Sequence, residues 1–400
     1  MTGPAAGGEK IRAPGSLAPL YAAGFVTAFG AHSVASGLGV EDHNLGFSLL
    51  SFGLLLAVYD IAEVILKPVF GALSDRIGTK PVVVGGLLAF AIVSLAGVFA
   101  TNLLLVGLAR LGQGAAASAF SPAASATVAR VTDPKSAGRY FGRYGSWKSL
   151  GYALGPLLAG ALISTLGLPS LFIVLAIAAG VTAAWVVIAA PAPAVLPRQR
   201  YTVADLSRQL TRRSFVVPVA ALAIGAAALG SAVGFLPVAG QTIGLGTLAS
   251  VALVTVLAVT SAIAQPVIGR LRDRDRLSTR AGMVGGIALI AVSIGVAASL
   301  QGPAALYLSA ALLGVGIGAV TSLGFAQLAI VTPADRMGRT MGTAELGREI
   351  GDAGGPLLVG AVAVSAGLAV GLAVLAAAAG LVAVVVGVFS GNGQPDVEPS

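Results

Sequence analysis

The chain has 400 residues, of which 56% are hydrophobic and 10% are charged, and its mean hydropathy is +0.93. Soluble domains carry about 25% charged residues, so this composition excludes an ordinary soluble domain and indicates a protein of the lipid bilayer. Cysteine is absent, which excludes a disulfide framework and thiolate chemistry.

Twelve apolar stretches are long enough to cross a hydrocarbon core of about 30 Å, which needs roughly 20 residues per helix. The predicted spans are 17–39, 47–71, 80–100, 103–127, 138–164, 169–190, 214–238, 246–269, 281–300, 304–330, 341–365 and 368–390. Six belong to residues 17–190 and six to residues 214–390, between polar tails at 1–16 and 391–400. We therefore predict an all-α membrane protein of two pseudo-symmetric six-helix bundles.

The polar stretch 191–213 separates the two groups of spans and is predicted to be a cytoplasmic linker. Its segment 203–213 has apolar residues at helical spacing and a basic face, which predicts a short amphipathic helix on the inner leaflet. A plain flexible linker is the alternative.

Lysine and arginine occur in the N-terminal tail and in the connections from each even-numbered span to the next odd-numbered span. The opposite connections contain neither residue. Because cytoplasmic loops carry the excess of Lys and Arg, both termini are predicted to be cytoplasmic, in a cell inner (plasma) membrane. The net charge of +8 then reflects topology and contact with membrane lipids, and no nucleic-acid partner is expected.

Residues 138–160 return as residues 338–360 with ten identities at the same offset. Such a repeat indicates two halves built on one plan, and in membrane proteins it places the binding site at the interface between the halves. The alignment pairs Lys148 with Arg348. We expect these two cations to face the same central cavity from opposite halves.

Nine charged residues stand out within predicted spans, apart from Lys80, Arg139 and Arg143 near the ends of theirs. They are Asp60, Glu63, Lys67, Arg110, Lys148, Glu345, Arg348, Glu349 and Asp352. Each would cost roughly 2.5–3.5 kcal/mol at the bilayer centre facing lipid, so we expect them to face the bundle interior, to pair, or to line a wet cavity. Those of span 2 share one helical face, and so do those of span 11.

These charged residues have two interpretations. One is structural: ion pairs within a helix, such as Lys67 with Glu63 or Arg348 with Glu345, would hold helices together. The other is proton binding, because burial and a neighbouring carboxylate both favour the protonated form of a carboxyl group. Proton binding is the favoured interpretation for Glu63 and for Asp60, one turn before it.

The loop after span 2 reads GALSDRIGTK. It resembles the signature loop of the major facilitator superfamily, with Thr79 where a basic residue is usual. The matching positions are Gly71, Asp75, Arg76, Gly78 and Lys80. The resemblance implies that Asp75 caps helix 11 and that this loop is a conformational latch of the outward-facing state. A degraded copy, 269–274, lies in the equivalent loop between spans 8 and 9.

Two further motifs are similar to motifs of the same superfamily. Arg110, Gln113 and Gly114 look like its Arg-x-x-Gln-Gly motif, which is implicated in proton transfer. GYALGPLLAG in span 5 is similar to the antiporter motif of its drug:proton exporters, with Ala159 where glycine is usual. The helix-packing positions of this motif are Gly151, Gly155, Pro156 and Gly160. They would let helices 5 and 8 seal against each other, although the copy in span 11 makes a purely structural role an alternative.

The resemblance implies a monomeric, proton-coupled transporter that exports small organic compounds or drugs by alternating access, without a cofactor or metal. The expected proton-coupling residues are Asp60, Glu63, Arg110, Glu349 and Asp352. The expected substrate contacts are His32, Tyr59, Asp60, Glu63, Lys148, Tyr152, Arg348 and Glu345. The sequence contains no phosphate-binding or nucleophile motif, so no enzymatic activity is expected.

Two other functions are compatible with the sequence. One is a uniporter or symporter of an anionic metabolite, in which Lys148 and Arg348 bind the substrate. The other is a membrane receptor or assembly scaffold that transports nothing, which would not need a buried ionisable network.

Overall fold

The structure is a computed structural model that describes residues 17–45, 49–195, 211–300 and 302–389, with side chains described outside 35–54, 56 and 247. The predicted tails and most of the predicted amphipathic helix of the linker lie outside the described residues.

The described residues form twelve α-helices, each of which begins and ends within about six residues of its predicted span. They are α1 (Ala18–Leu45), α2 (Leu49–Ile77), α3 (Thr79–Gly97), α4 (Leu103–Val131), α5 (Ala137–Leu166), α6 (Leu168–Ala189), α7 (Arg213–Thr242), α8 (Thr247–Asp273), α9 (Thr279–Ser299), α10 (Pro303–Val331), α11 (Met337–Ala366) and α12 (Leu368–Phe389). The predicted fold class is confirmed.

Nine of these helices are long and apolar enough to span a membrane. The other three, α1, α2 and α11, have 28, 29 and 30 residues, and roughly 20 are enough to cross the hydrocarbon core. Large apolar side chains point outward from the helices, among them Val364 at 91% exposure and Ile188 at 82%. Such an outer surface is suited to lipid and not to water.

Equivalent turns join equivalent helices in the two halves. Gly167, between α5 and α6, has a φ of 77°, and Gly367, between α11 and α12, has a φ of 90°, values that glycine adopts without steric penalty. A short 3-10 helix precedes α5 at Pro134–Ser136, and another precedes α11 at Ala334–Arg336. The repeat in the sequence is therefore also a repeat in the structure.

The buried apolar side chains form two clusters, one mainly from α1–α6 and the other mainly from α7–α12. The same neighbours recur in both bundles: α1 packs on α5 as α7 packs on α11, and α3 packs on α4 as α9 packs on α10. Between the bundles, α2 packs on α11 and α5 packs on α8. We name these two contacts the α2–α11 seam and the α5–α8 seam.

Candidate functional site

A carboxylate of α2 caps the first turn of α11. The two oxygens of Asp75 accept hydrogen bonds from the backbone N–H groups of Gly338 and Arg339, each at 2.8 Å. Arg130 of α4 forms an ion pair with Asp75 and donates from Nε to the carbonyl of Ala334 at 3.0 Å. The α2–α11 seam is therefore held at the end where α11 begins by a capped helix and an arginine that spans both halves.

The second half makes the same contact in reverse. Asp273 of α8 accepts hydrogen bonds from the backbone N–H groups of Gly138, at 2.9 Å, and Arg139, at 2.8 Å, in the first turn of α5. Arg272 donates to the carbonyl of Pro134 at 2.8 Å. Although this copy of the signature loop is degraded in sequence, its carboxylate still caps a helix of the other half. We name the Asp75 and Asp273 contacts the two latches.

Not every residue of the predicted latch lies in it. A Cβ atom at Gly71 would come within 2.5 Å of the carbonyl oxygen of Gly338, so glycine is needed where the helices cross. Gly78 has a φ of 98° and forms the turn into α3. Arg76 is exposed, and Lys80 donates instead to carbonyls at the end of α6, at 2.9 and 3.0 Å. The prediction is corrected for Lys80, which ties together helices of one bundle.

Lys67 lies deeper in the α2–α11 seam and is fully buried. Its Nζ is 2.8 Å from Glu63 on the same helix and 2.7 Å from Glu349 on α11. A third carboxylate, Glu345, is 3.5 Å away. The predicted pair with Glu63 is present, but the sequence did not reveal that Lys67 also bridges the two bundles.

The cations predicted to face each other extend this network. Arg348 donates to the Tyr152 hydroxyl at 2.9 Å and to Glu349 at 2.9 Å. Lys148 lies 3.5 Å from Glu345. Both cations are at most 8% exposed, and each has a carboxylate partner within 3.5 Å.

We name six of these residues the ionic cluster. They are Lys67, Lys148, Arg348, Glu63, Glu345 and Glu349. Three are cations and three are carboxylates, so the cluster is balanced when every member is ionised. Removing one partner of a buried ion pair costs about 3–5 kcal/mol because the other charge is left uncompensated. The α2–α11 seam is therefore sensitive to any change of charge within the cluster.

Two carboxylates predicted to couple protons lie at the margin of the cluster. Asp60 is exposed, so of the three environments expected for charged residues within spans, burial in the bundle interior does not apply to it. Asp352 is half-buried, and its Oδ1 atom is buried without a hydrogen-bond partner among the described residues.

A small cavity lies between the halves beside the ionic cluster. Its volume is about 30 Å³, and Lys148, Tyr152 and Arg348 contribute to its wall. A water molecule needs about 10–15 Å³, whereas pockets for drug-sized ligands occupy about 300–1,000 Å³. The cavity has room for about two water molecules, so a drug-sized compound would enter only after the halves move apart.

The wall of the cavity also includes polar residues that the sequence analysis did not single out: Ser149 of α5 with Ser261 and Gln265 of α8. His32 does not line the cavity, but it contacts Tyr152, which does. The two rings are edge to face, with their centroids 4.5 Å apart. Tyr59, Asp60, Glu63 and Glu345, which were predicted to contact substrate, do not line this cavity.

Comparison with known proteins agrees with this geometry. The model of the Major Facilitator Superfamily matches residues 20–356, and a further match covers residues 252–399. The chain belongs to the major facilitator superfamily. Members of this superfamily are membrane transporters and not enzymes, and the recognition made from three sequence motifs is confirmed.

Relatives within the superfamily include resistance proteins. A stretch of 111 residues is 37% identical to the tetracycline resistance protein, class H, of Pasteurella multocida, covering 28% of this chain and 28% of that protein. Another of 124 residues is 32% identical to the multidrug resistance protein MdtG of Erwinia billingiae (strain Eb661), covering 31% of this chain and 30% of that protein. The chain thus aligns with less than a third of the length of these relatives.

A solved structure with a similar fold is that of the human organic anion transporter MFSD10 (TETRAN). The two chains superpose with a TM-score of 0.76 at 17% sequence identity, over 94% of this chain and 100% of that one. At this identity the similarity supports the major facilitator fold.

The superfamily motif in α4 surrounds a buried arginine. The guanidinium of Arg110 lies over the Tyr59 ring at 4.2 Å and 3.4 Å from Gln113, which in turn donates to Ser94. The Tyr59 hydroxyl is 3.4 Å from Glu63. Arg110 is thereby connected to the ionic cluster through an aromatic ring, and Tyr59 packs between them without exposure to solvent.

The resemblance to the antiporter motif needs a correction. Cβ atoms at Gly151 and Gly155 would come within 2.7 and 3.1 Å of α1 atoms, and Gly160 has no neighbour within 4 Å among the described residues. Pro156 lies inside α5 between them. Gly142 instead meets α8, where a Cβ atom would lie 2.5 Å from the Gln265 carbonyl oxygen. In this major facilitator the motif packs α5 on α1, and earlier glycines of α5 form the α5–α8 seam.

Proposed function

We propose that this protein is a proton-coupled transporter that exports small organic compounds, drugs among them, in exchange for protons by alternating access. The observation that carries the proposal is the ionic cluster, in which Lys67 of one bundle lies 2.7 Å from Glu349 of the other with both side chains buried. The similarity to tetracycline and multidrug resistance proteins supports the substrate class.

Protonation would act on the balance of the ionic cluster. A proton on Glu63 or Glu349 removes a negative partner of Lys67 and leaves a buried cation undercompensated, which weakens the α2–α11 seam. We assign Asp60 and Asp352, at the margin of the cluster, as further proton acceptors. A proton gradient then biases the equilibrium between two arrangements of the bundles, as coupling requires.

Access would alternate at the end of the molecule where both latches lie. Opening this end requires Asp75 to leave α11 and Asp273 to leave α5. We propose that this end faces the cytoplasm of a plasma membrane, because the basic connections lie there, and that both termini are also cytoplasmic. Substrate would enter the central cavity from that side, and a monomer surrounded by lipid would suffice.

Transport in proteoliposomes tests the proposal. With a pH gradient imposed, the wild-type protein is expected to move tetracycline against its concentration gradient. Glu63→Gln and Asp60→Asn are each expected to lower the gradient-driven flux on the order of tenfold, the effect of about 1.4 kcal/mol, because a proton-binding carboxylate is lost. Asp133→Asn, which changes an exposed carboxylate outside the cluster, is the matched control. Full gradient-driven flux in both variants would contradict the assignment.

A second candidate function is the transport of an anionic metabolite by a uniporter or symporter. The specific observation in its favour is that both Lys148 and Arg348 line the cavity. An anion would have to compete with Glu345 and Glu349, which already neutralise these cations.

Anion binding tests this second candidate. Under this candidate, benzoate, used as a simple organic anion, raises the melting temperature of the wild-type protein, and Lys148→Ala with Arg348→Ala abolishes the rise, because the positive charge at the cavity wall is lost. An unchanged rise in the double variant would remove this candidate function. The same assay with tetraphenylphosphonium shows whether the variant still responds to a cation.

A further inference from the structure

Three uncharged polar residues bridge the α5–α8 seam. Gln265 of α8 donates from Nε2 to the Ser149 hydroxyl of α5 at 2.8 Å and to the Ser261 hydroxyl, one turn earlier on α8, at 3.1 Å. The two hydroxyl oxygens are 3.3 Å apart. Ser149, the most exposed of the three, is only 6% exposed. We name these residues the neutral triad.

The neutral triad is the repeat-related copy of the contacts around Lys67. Gln265 follows Lys67 by 198 positions, which is also the offset between the latch residues Asp75 and Asp273. The same offset of 198 positions relates Glu63 to Ser261. The offset of 200 positions between α5 and α11 relates Ser149 to Glu349 and Gly145 to Glu345. Each side chain that Lys67 contacts thus has a counterpart next to Gln265. The two seams therefore use equivalent positions with different chemistry, one ionic and one uncharged.

The two seams differ in what they face. Ser149, Ser261 and Gln265 line the central cavity, whereas Lys67 does not. Gly145, which also lines the cavity, stands where the other seam has Glu345.

One acceptor atom of the neutral triad takes no part in the hydrogen bonds within the triad. The Oε1 atom of Gln265 is buried and has no hydrogen-bond partner among the described residues. It lies against Gly145, where any larger side chain would collide with it. An unpaired buried carbonyl carries a desolvation penalty, which a donor on a ligand would remove.

We propose that the neutral triad is a substrate subsite that binds an uncharged hydrogen-bonding group, such as a hydroxyl or a carboxamide, of the transported compound. The Gln265 carbonyl accepts a hydrogen bond from that group, and the two serine hydroxyls are adaptable donors and acceptors beside it. Because the triad is uncharged, the α5–α8 seam separates around a ligand without leaving an unpaired buried ion. This inference rests on the proposed function only in taking the cavity as the place where the compound binds.

Two probes of different chemistry test the subsite on the purified full-length protein. Tetracycline carries several hydroxyl groups and a carboxamide, whereas tetraphenylphosphonium is a cation without hydrogen-bonding groups. Gln265→Leu is expected to raise the Kd for tetracycline about tenfold, as expected for the loss of one hydrogen bond, and to leave the Kd for tetraphenylphosphonium unchanged. Ser149→Ala is expected to act in the same direction. Ser125→Ala, which removes a buried hydroxyl of α4 bonded within its own helix, is the matched control.

Three results would overturn the subsite. They are an unchanged Kd for tetracycline in both variants, an equal loss of affinity for the two probes, and a wild-type protein that does not bind tetracycline. Flux driven by a pH gradient is measured on the same preparations. Selective binding through Gln265 without any gradient-driven flux would remove the proposed proton coupling and leave the subsite in place, so the two failures are distinguishable.

Discussion

Lys67 illustrates how one side chain can belong to both halves of a duplicated protein. It is fully buried, and it lies within 2.8 Å of one carboxylate on its own helix and one on α11. A buried cation with such contacts is weak evidence for net stability, because desolvation offsets much of the attraction. These contacts instead make the two bundles depend on each other, because neither bundle alone pairs all of these charges.

Replacing this cation should therefore expose the imbalance. Lys67→Met is expected to lower the free energy of unfolding by about 3–5 kcal/mol, because three carboxylates then face two cations. The double variant with Glu349→Gln is expected to recover part of that loss. Thermal unfolding in detergent measures both, with Lys135→Met, at an exposed lysine, as control.

Two results would contradict this account. One is a melting temperature of Lys67→Met equal to that of the control. The other is a double variant whose loss equals the sum of the two single losses, because additivity would mean that the side chains do not interact.

Residue-scale contacts were the least predictable from sequence. The spacing of Glu63 and Lys67 indicates a pair on one helical face, but it carries no information about Glu349, 282 positions away. Gln265 was missed for a different reason, because an uncharged polar residue in an apolar span costs little and does not stand out. The offset that pairs Asp75 with Asp273 also pairs Lys67 with Gln265. Aligning the two halves at this offset would have identified Gln265.

The helix N-termini of α5 and α11 are the elements on which the opening of the molecule depends. Each presents free backbone N–H groups and the positive end of a helix dipole to a carboxylate from the other half. The two are equivalent in geometry, with all four hydrogen bonds between 2.8 and 2.9 Å. Opening either latch separates two backbone donors from their carboxylate.

Removing the caps should shift the conformational equilibrium. Asp75→Ala and Asp273→Ala are each expected to destabilise the closed latch by about 0.5–2 kcal/mol, and the double variant by more. Because the chain has no cysteine, Ser74→Cys, at a fully buried position beside the first latch, reports opening through its rate of alkylation. We expect faster labelling in each variant. Ser293→Cys, buried within one bundle, is the control, and equal rates with and without the caps would contradict the account.

Elements were predicted well because the bilayer sets their length. About 20 apolar residues cross the membrane whatever their exact order, so Leu168–Ala189 was found to within a residue at each end. The predicted partner of the antiporter motif was wrong, since Gly151 and Gly155 pack on α1. Glycines indicate that some helix comes close, and they do not indicate which one.

At the scale of the whole molecule, the duplication explains why the two halves are symmetric and why equivalent seams can differ in chemistry. Latches, turns and seams occur twice, while Lys67 and its carboxylates lie in the α2–α11 seam and the neutral triad lies in the α5–α8 seam. The sequence predicted two bundles with a cavity between them. It did not predict that Glu63 and Glu345 do not line that cavity. Helix spacing shows which residues share a face, but it does not show which other helix that face contacts.

The contact between Lys67 and Glu349 also has a consequence for biogenesis. The ribosome delivers α2 to the membrane early, whereas α11 is the last helix but one of the described chain. Through most of synthesis, Lys67 has Glu63 within reach and lacks both carboxylates of α11. A chain truncated before α11 would leave Lys67 and Lys148 with Glu63 as their one carboxylate of the ionic cluster, and so with an unbalanced charge inside an inserted bundle.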